Sequence, residues 1–464
     1  MAYYGKKLRY TQENAPPIML GGGVNTSSPT AFNIDKSEAY SSLNTTSTKF
    51  PALSVRAGYT VLYGTDVAAL TAEYASGVRG GTQYHVQDNT VWKYWNGSAF
   101  ANLATGLTAA QGKILEFNIT AKRYTILVNG TEKKYWDGSS VADITDGPAT
   151  NLYTVDDNRL YALKGSVLYS CALELLTDWT TVDDADENPL VGMLGDGVAI
   201  SKYSDMVICW SDQTMHIVYG DDPLNTTKTE PIPNGCVSDR SVITYDGILY
   251  FMDYFKIMAF TGGLPIEISQ KVREYLNNIN YTYKAGICAG QWGRYLYWSI
   301  PYGSTATANN LILQYDIENK TWYPWNFGVT NFVKIGEDLI AIKTDGEIIK
   351  LHDGTTDGGT AIASEHTTGI WDAIPVKNKK ADSAYYVSAL VPVGSTLTIA
   401  YSTTVTGDDF VTLKTFTPSA TEQTAKIMIP TDKLHNFNYK RLKFSGTGPY
   451  DIYYIEEKKR VRVN

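Results

Sequence analysis

The chain has 464 residues, 43% of them hydrophobic, and a formal net charge of −8 from 40 Lys and Arg against 48 Asp and Glu. This length is enough for the cores of two or three domains. The acidic balance argues against a protein that grips nucleic-acid phosphates through basic patches. No apolar run is long enough to predict a membrane-spanning helix, and the polar start after Met1 is not typical of a signal peptide.

Residues 1–58 lack regular periodicity, and Pro16-Pro17 and Gly21-Gly22-Gly23 interrupt any helix or strand there. The segment nevertheless carries apolar side chains such as Leu20 and Val24. A long arm with apolar anchors needs a surface to lie on, either the chain's own propeller or a neighbouring subunit. We therefore predict an extended N-terminal arm over residues 1–58.

A repeated motif indicates the architecture of the next part of the chain. Tyr94-Trp95-Asn96-Gly97-Ser98 returns 41 residues later as Tyr135-Trp136-Asp137-Gly138-Ser139. An aromatic strand end followed by Asn-Gly or Asp-Gly predicts a hairpin with a type I′ turn, in which both central residues have positive φ. A repeat of about 40–45 residues built from hairpins is typical of one β-propeller blade.

Short apolar and aromatic strands alternate with turns from about residue 61 to residue 353. Roughly 300 residues at about 40–50 per blade predict six or seven blades. One helix is predicted, from Ser269, which can cap it, to Leu276, which shares a face with Val272. The predicted strand pairs are residues 160–163 with 167–170, 207–210 with 216–219, 248–251 with 257–260, 295–298 with 311–316, and 339–342 with 348–351.

Beyond Gly358-Gly359 the strands lose the blade spacing and fit a small antiparallel sandwich. We therefore predict an all-β chain with an arm over 1–58, a propeller over 59–365 and a β-sandwich over 366–464. The chain ends in a basic tail that includes Lys458-Lys459-Arg460, which is interpreted as a solvated end or as a docking segment for an acidic partner. The predicted sandwich strands are residues 384–390, 397–402, 425–429, 439–444 and 452–455.

The residues that usually carry metal chemistry are dispersed. Cys171, Cys209, Cys236 and Cys288 form no CxxC pair, so reduced core thiols are expected rather than zinc ligands or a disulfide framework. The histidines share no ligand spacing, and no metal site is predicted. The acidic run Asp183–Asn188 offers oxygen ligands that suit calcium, but it lacks the Gly and distal Glu of an EF-hand loop. We interpret it as a solvated loop.

Sequence motifs for catalysis and cofactor binding are also missing. There is no G-x-S-x-G, and Gly21-Gly22-Gly23 does not follow a strand as a nucleotide fingerprint does. Residues 402–413 are faintly similar to the Asp-box turn of sialidases, but Gly-Asp between strands is ordinary hairpin chemistry. We expect no enzyme activity and no cofactor. The Trp side chains at strand ends are interpreted as blade packing rather than sugar stacking: Trp92, Trp95, Trp136, Trp322 and Trp325.

Two groups of segments carry a resemblance to a known family. One is Gly22-Gly23-Val24-Asn25-Thr26, followed by residues 35–39, Asn44 and 55–59. The other is Gly235-Cys236-Val237-Ser238-Asp239-Arg240-Ser241-Val242, followed by residues 247–251, 262–263 and 266–269. They resemble the β-propeller tail-nozzle and packaged-DNA-stabilisation (head-completion) proteins of short-tailed bacteriophages. Residues 371–461 are similar to the sandwich that such proteins append.

The resemblance implies a structural virion protein, made in the host cytoplasm, that forms a homo-oligomeric ring below the portal and adaptor. We expect a hexamer whose lumen retains packaged DNA and conducts it during ejection, without specific DNA binding. Negatively charged walls would reduce sticking of phosphates. Closed rings need heterologous interfaces, which an arm can supply. The candidate interface residues are Gly22, Gly23, Val24, Asn25, Thr26, Arg56, Gly58, Lys458, Lys459 and Arg460.

Two other functions stay open at this point. The first is a receptor-binding or glycan-binding tail propeller that contacts the host surface through its Trp side chains. The second is a propeller enzyme that cleaves glycans. Loss of glycan binding on Trp→Ala changes would favour the first, and turnover of a host polysaccharide would favour the second.

Overall fold

The structure of the chain is a computed structural model that describes residues 9–14, 16–28, 31–62, 70–119, 122–182, 184–220, 226–371, 382–404, 409–419, 423–429 and 440–463. Its residues group into two compact units. Unit 1 comprises Met1–Thr60, Leu313–Asn326 and His352–Asn464, and unit 2 comprises Val61–Ile312 and Phe327–Leu351.

The N-terminal part of the chain contains short strands, followed by six antiparallel sheets of four consecutive strands each. The strands before the sheets are β1 (Arg9–Asn14), β2 (Ala39–Leu43), β3 (Thr45–Thr46), β4 (Leu53–Val55) and β5 (Tyr59–Val61). The first three sheets are β6 (Glu73–Arg79), β7 (Gln83–Asp88), β8 (Val91–Trp95) and β9 (Phe100–Ala104); β10 (Lys113–Ile119), β11 (Lys122–Val128), β12 (Lys133–Trp136) and β13 (Val141–Asp143); and β14 (Tyr153–Asp156), β15 (Arg159–Lys164), β16 (Val167–Ser170) and β17 (Asp186–Pro189).

The next three sheets repeat the same order, and a seventh sheet follows them. The strands are β18 (Gly197–Tyr203), β19 (Met206–Ser211), β20 (Met215–Tyr219) and β21 (Thr227–Lys228); β22 (Ile243–Tyr245), β23 (Ile248–Asp253), β24 (Lys256–Phe260) and β25 (Ile266–Glu267); and β26 (Cys288–Trp292), β27 (Tyr295–Ile300), β28 (Leu311–Asp316) and β29 (Thr321–Trp325). The seventh sheet begins with β30 (Val329–Ile335), β31 (Asp338–Lys343) and β32 (Ile348–Leu351), and β5 lies next to β32 as its fourth strand.

The first strands of the seven sheets form a closed ring in unit 2. β6 contacts β10, β10 contacts β14, and β14 contacts β18. β18 contacts the 3₁₀ turn Asp239–Ser241 that leads into β22, β22 contacts β26, β26 contacts β30, and β30 returns to β6. This is the architecture of a seven-bladed β-propeller, within the predicted range of six or seven blades. We number the blades 1 to 7 in that order.

Apolar cores fill the spaces between successive blades. Between blades 1 and 2 lie Trp92, Ile114 and Trp136, and between blades 4 and 5 lie Trp210 and Phe251. Alternate side chains of each strand point to opposite faces of the blade, and each face packs against a neighbouring blade. Because both faces are buried, the central strands are nearly continuous apolar runs. The five predicted strand pairs coincide with the second and third strands of blades 3 to 7 and are confirmed.

The repeated Tyr-Trp motif occupies the same position in blades 1 and 2, but its turn is not type I′. Only the glycines, Gly97 and Gly138, have positive φ. Asn96 Oδ1 accepts the Ser98 amide at 3.0 Å and the Ala99 amide at 2.9 Å, and Asp137 Oδ1 does the same for Ser139 and Ser140. The side-chain oxygen thus replaces the backbone acceptor and closes a four-residue loop.

The short helical segments lie in blades 4 to 6. The predicted helix is a 3₁₀ turn, Gln270–Val272, that continues into α1 (Arg273–Asn277). Val272 and Leu276, which were predicted to share a face, are both fully buried. The predicted cap is wrong: the Ser269 hydroxyl does not cap the helix but accepts the Ile257 amide at 2.9 Å. A third 3₁₀ segment is Tyr281–Gly286. Among the described residues, no helix is long and apolar enough to cross a bilayer.

Unit 1 contains a sandwich whose two sheets both include N-terminal strands. One sheet has the order β3-β4-β41-β36-β39, with β1 paired to β41, and the other has the order β2-β35-β40-β37-β38. The remaining strands are β33 (Thr356–Asp357), β34 (Thr360–Ala361), β35 (Ala363–Thr368), β36 (Asp382–Val391), β37 (Thr396–Ser402), β38 (Val411–Phe416), β39 (Gln423–Ile429), β40 (Arg441–Thr447) and β41 (Asp451–Val463).

The predicted arm, residues 1–58, is therefore grouped with the C-terminal sandwich. Its strands hydrogen-bond to strands from the other end of the chain, and Leu20, Leu53 and Val55 pack into the sandwich core beside Trp371. The surface that the apolar anchors needed is thus the chain's own sandwich. The four cysteines are free and buried, as predicted.

Gly58 provides a test of the arm's packing. A Cβ on Gly58 would lie 1.9 Å from the carbonyl oxygen of Thr356 in β33, so Gly58→Ala forces two backbone segments apart. We expect a loss of about 3 kcal/mol of unfolding free energy. Gly263→Ala is the matched control, since no atom of the described residues lies within 4 Å of its added Cβ. Urea unfolding monitored by circular dichroism compares them, and equal midpoints would contradict the packing.

His85 makes the stability depend on pH. Its ring lies between Trp136 (centroids 5.4 Å apart) and Tyr94 (5.9 Å), and neither nitrogen has a hydrogen-bond partner within the described part of the chain. Burial, and then the charge of Arg79, lowers the His85 pKa to about 3. Between the unfolded value of about 6.5 and pH 3 the unfolded chain binds more protons, so stability falls as the pH falls.

We therefore expect His85→Phe to flatten the pH dependence between pH 6 and pH 4 by up to about 1.4 kcal/mol per pH unit. Tyr84→Phe, at a buried neighbour, controls for altered packing without removing an acid-titrating group. Unfolding free energies measured across this pH range decide the matter. Parallel curves for His85→Phe and the unchanged chain would count against this assignment.

Candidate functional site: the axial cavity of the propeller

A cavity of ≈ 370 Å³ lies on the axis of the seven-bladed ring. All seven inner strands, or the residues just before them, contribute to its wall, so the cavity follows from ring closure. The polar part of the lining is supplied largely by blades 2, 3, 4 and 5 and the segments that lead into them, together with the neighbouring Ile200: Gln111, Lys113, Asn151, Thr154, Ile200, Lys202, Asp239 and Arg240.

Small residues allow the inner strands to approach around this cavity. A Cβ on Gly77 of β6 would lie 2.8 Å from the Ile114 side chain of β10. A Cβ on Gly290 of β26 would lie 2.4 Å from the Phe332 ring of β30. Glycine at these two positions keeps neighbouring blades in contact and the axial space narrow.

A β-bulge near the start of each of two inner strands, β6 and β30, leaves one backbone carbonyl group near the axis outside the regular strand pairing. The register of β6 with β7 skips Tyr74, and that of β30 with β31 skips Thr330. A bulge leaves its extra residue unpaired in the ladder. Arg240 supplies donors to both positions: its guanidinium donates to the Tyr74 carbonyl and, from Nη1, to the Thr330 carbonyl at 3.1 Å.

Arg240 also faces a buried carboxylate. Its Nη1 lies 3.6 Å from Glu73 Oε2, and the Glu73 side chain is 1% exposed. Burial raises the Glu73 pKa, while the charge of Arg240 opposes that rise. Because Arg240 enters from blade 5 and its partners belong to blades 7 and 1, one side chain reaches past blade 6 and bridges the axis.

Two lysines enter the cavity from blades 2 and 4. Lys113 Nζ lies 2.8 Å from Asp239 Oδ2 and 3.4 Å from the Ile200 carbonyl oxygen. Asp239 Oδ1 accepts the Ile200 amide at 3.0 Å, so both oxygens of this carboxylate are occupied. Lys202 is paired with Asp156. The bond to Asp156 raises the Lys202 pKa, and burial raises the Asp156 pKa.

The 3₁₀ segment Tyr281–Gly286 is hydrogen-bonded to Gln111, a residue of the cavity lining. The carbonyl oxygen of Ala285 accepts from Gln111 Nε2 at 3.1 Å and from Ser238 Oγ at 3.4 Å. Asn309 Nδ2 donates to the Gly286 carbonyl at 2.6 Å. The bonds from Gln111 and Ser238 join the segments that lead into blades 2 and 5 to this single 3₁₀ segment.

The leader residues proposed for an oligomer interface make contacts within unit 1. Val24 and Arg56 are 0% and 3% exposed, and Asn25 is 9% exposed. Arg56 donates to both carboxylate oxygens of Asp357, at 2.8 and 2.6 Å, and Nε donates to Asn44 at 3.0 Å. The motif is thus accounted for by intrachain packing, because these side chains are occupied inside the chain's own fold.

Most of the remaining residues of the proposed interface also lie against, or pair with, other parts of the same chain. A Cβ on Gly23 would lie 2.8 Å from the Trp322 carbonyl oxygen, and Gly58 is buried against Thr356. Gly22 and Thr26 are half-buried. The backbone of Lys458, Lys459 and Arg460 pairs with β1, while their side chains lie outside the described structure. An intersubunit role for these residues stays a prediction.

The other residues singled out by sequence do not converge. His85, His216, His352 and His366 lie apart, and the described residues contain no group of His, Cys, Asp and Glu that could hold a metal ion. Asp183 and His435 lie outside the described residues. Asp184, next to Asp183, pairs with Arg159 at 2.8 Å, and its carboxylate accepts the Leu173 amide at 3.2 Å.

The aromatic residues confirm the packing interpretation for four of the five Trp side chains. Trp92, Trp322 and Trp325 are at most 1% exposed, and Trp136 is 7% exposed. Trp95 is half-buried with its ring edge-on to Phe100. The hairpin interpretation of residues 402–413 is confirmed for its described part, because β37 and β38 pair and Asp409 accepts from the Ser402 hydroxyl at 2.7 Å.

The axial residues were missed from the sequence as a site. Lys113, Lys202 and Arg240 are far apart along the chain, and each is an ordinary basic residue by itself. Asp239 and Arg240 belong to one of the segments that carry the family resemblance. That segment was the one available signal, but it indicated a family and not a location on the axis.

No protein-family model matches the chain, and no curated protein matches it either. Solved structures similar to it include a streptogramin B lyase, with 12% identity, a TM-score of 0.42, and 63% of this chain and 96% of that chain covered. BamB of Moraxella catarrhalis has 10% identity and a TM-score of 0.41 over 73% of this chain and 97% of its own.

A third similar structure is the extracellular domain of a hybrid two-component system of B. thetaiotaomicron. It has 8% identity and a TM-score of 0.45 over 73% of this chain and 46% of its own. These neighbours are β-propellers, like this chain. At such TM-scores the likeness carries no argument about function, and the propeller assignment rests on the sheet order and the ring of inner strands.

Removing the cation that bridges the axis tests the geometry of the site. Arg240→Met leaves Glu73 buried without its cation and removes the Arg240 donor from two bulge carbonyls, although that of Tyr74 still accepts the Gly112 amide at 3.0 Å. We therefore expect a loss of about 3–5 kcal/mol, chiefly from the uncompensated buried charge. Arg273→Met, which breaks an ion pair whose arginine side chain is 52% exposed, should cost less than about 1 kcal/mol. Denaturant unfolding measures both variants.

The double variant Glu73→Gln with Arg240→Met should recover part of the loss, since no uncompensated charge is left behind. If Arg240→Met were as mild as Arg273→Met, the bridging contacts described here would not contribute to stability.

Proposed function

We propose that this chain is a structural, non-enzymatic protein of a phage tail. Copies of it form a homo-oligomeric ring, a nozzle below the portal and adaptor, that retains packaged DNA and conducts it during ejection. The proposal starts from the family resemblance. The observation that carries it is that several residues of both groups, among them Gly23 and Arg56 in the first and Gly235 and Arg240 in the second, occupy positions on which this fold depends.

The first group determines how the N-terminal segment is seated in unit 1. The Val24 amide donates to the Trp322 carbonyl at 2.9 Å, and Gly23 leaves no room for a side chain at this approach. Asn44 Oδ1 accepts from Arg56 Nε, and the guanidinium of Arg56 lies 5.4 Å from the centre of the Trp325 ring. Another residue type at Gly23, Asn44 or Arg56 would disrupt the packing of the N-terminal segment in unit 1.

Residues 235–242 of the second group lead into blade 5. A Cβ on Gly235 would lie 1.9 Å from the Asp212 carbonyl oxygen. Cys236 and Ser241 are fully buried, and Asp239 and Arg240 reach the axis. A resemblance at positions with such tight steric and polar requirements is a resemblance in architecture, which supports membership of the same structural class.

The bridged axis bears on where DNA would pass. The inner strands leave ≈ 370 Å³ on the axis, and Arg240 spans that space. A DNA duplex is far wider than such a cavity. In the proposed assembly the conduit is therefore the space enclosed by several copies, with the propeller as a rigid part of its wall. The net charge of −8 suits a wall along which phosphates slide without sticking.

The receptor-binding alternative gains no specific support. In that alternative, exposed Trp rings would stack on glycans, whereas Trp92, Trp136, Trp322 and Trp325 are buried. We therefore propose the ring as the single function. Portal and adaptor subunits are its proposed partners, the virion is its proposed location, and DNA would pass it without specific binding.

The assembly is tested by native mass spectrometry and negative-stain imaging of complexes released from the native particles that contain this protein. We expect a closed ring of six copies that remains attached to portal or adaptor subunits, since a heterologous interface closes only at a fixed number of copies. A monomer or a trimer located at the tail tip would overturn the proposal and favour receptor binding.

A further inference from the structure

The axial cavity has a charge that differs from that of the whole chain. Its lining contains three cations, Lys113, Lys202 and Arg240, against one carboxylate, Asp239. The chain as a whole carries −8. The other two carboxylates of the region, Glu73 and Asp156, pair with Arg240 and Lys202 but do not line the cavity. A molecule in the cavity therefore faces mainly positive groups.

The donors and acceptors of the lining are also unequal. Both oxygens of Asp239 are occupied, by Lys113 and by the Ile200 amide. An ammonium group has three donors, and among the described residues the Lys202 ammonium contacts one acceptor, Asp156. The Lys202 side chain is 44% exposed, although Ile200, on the same face of β18, is buried. The Lys202 ammonium group therefore has N–H donors that face solvent-accessible space.

Neutral groups around the lysines add further hydrogen-bonding capacity. Thr154 Oγ1 accepts the Lys202 amide at 3.2 Å, which leaves its own hydroxyl proton available for a second partner. Asn151 Nδ2 donates to the Gln111 carbonyl at 3.1 Å, and the amide has a second N–H. Within the part of the chain that the structure describes, no aromatic ring lines the cavity, so the site does not offer stacking to an apolar ligand.

We propose that the axial cavity binds a small anion that carries carboxylate or phosphate groups, with Lys202 and Lys113 as its main contacts. Ion-paired hydrogen bonds from ammonium groups to such oxygens are the strongest that this lining can make. The volume of ≈ 370 Å³ lies in the range of small-molecule sites and limits the ligand to a small metabolite-sized molecule. Binding at this site does not depend on the proposed assembly of several copies into an oligomeric ring.

Isothermal titration calorimetry of the full chain with citrate, with inorganic phosphate and with the neutral polyol sorbitol tests the proposal. We expect one citrate or phosphate per chain, weaker binding as salt is raised, and no sorbitol binding. Binding of citrate alone assigns the site to carboxylates, and binding of phosphate alone assigns it to phosphates. Absence of binding by both anions up to about 10 mM overturns the proposal.

Variants locate the site. Lys202→Met keeps the apolar stem and removes the charge, so affinity should fall at least about tenfold. Lys164→Met, at an exposed lysine outside the cavity, should leave affinity unchanged. The double variant Asp156→Asn with Lys202→Met removes both charges of the pair and guards against misfolding, which circular dichroism checks. Anion binding that is insensitive to both Lys202 variants, or equal binding of sorbitol, would overturn the assignment.

Discussion

Closure of the blade ring is the constraint on which the rest of unit 2 depends. A row of four-stranded sheets would leave an apolar face open at each end, and contact between β30 and β6 removes both. The core at this junction combines Tyr84 and Val86 of blade 1 with Val333, Ile340 and Ile342 of blade 7. Each blade is covered on both sides only when this last junction forms.

Closure of the blade ring brings polar backbone groups together at the centre, and the side chain of Arg240 hydrogen-bonds to two of them. Where inner strands converge, bulges at Tyr74 and Thr330 turn carbonyl groups away from the sheet ladder. Arg240 is suited to this place because a guanidinium presents several donors in a planar fork. Glu73 offsets its charge, although burying this carboxylate has a cost of its own. The axis is thus held by polar bonds, whereas the blade junctions are held by apolar packing.

The sequence predicted the regular parts of the fold because their signals are local. Strand pairs such as 248–251 with 257–260 are continuous apolar runs on either side of a turn, and they lie where expected. The turn type at Asn96 and Asp137 was wrong because a side-chain oxygen competes with the backbone for the same amides. The arm was assigned no strands, since β3 and β4 are two and three residues long and show no period.

The candidate site was beyond prediction for a different reason. Lys113, Lys202 and Arg240 come from three blades, and each reaches the axis only because the ring closes. Their relation is a property of the tertiary fold, with no spacing along the chain to indicate it. The residues of the N-terminal arm that were proposed for an interface show the opposite situation, in which the sequence indicates a site but the structure shows another role. Arg56 and Gly58 stand out in the sequence, yet the contacts that they make are within the chain.

The interleaving of the two units has a consequence for biosynthesis. Unit 1 takes its chain from three separate stretches, and β5 near residue 60 is the fourth strand of a sheet whose β32 ends at Leu351. A ribosome therefore releases residues 59–62 long before their sheet partners exist. Unit 1 can therefore be completed only after the last stretch of the chain has been synthesised, and proteolytic trimming from either end would remove part of unit 1 while its other strands remain behind.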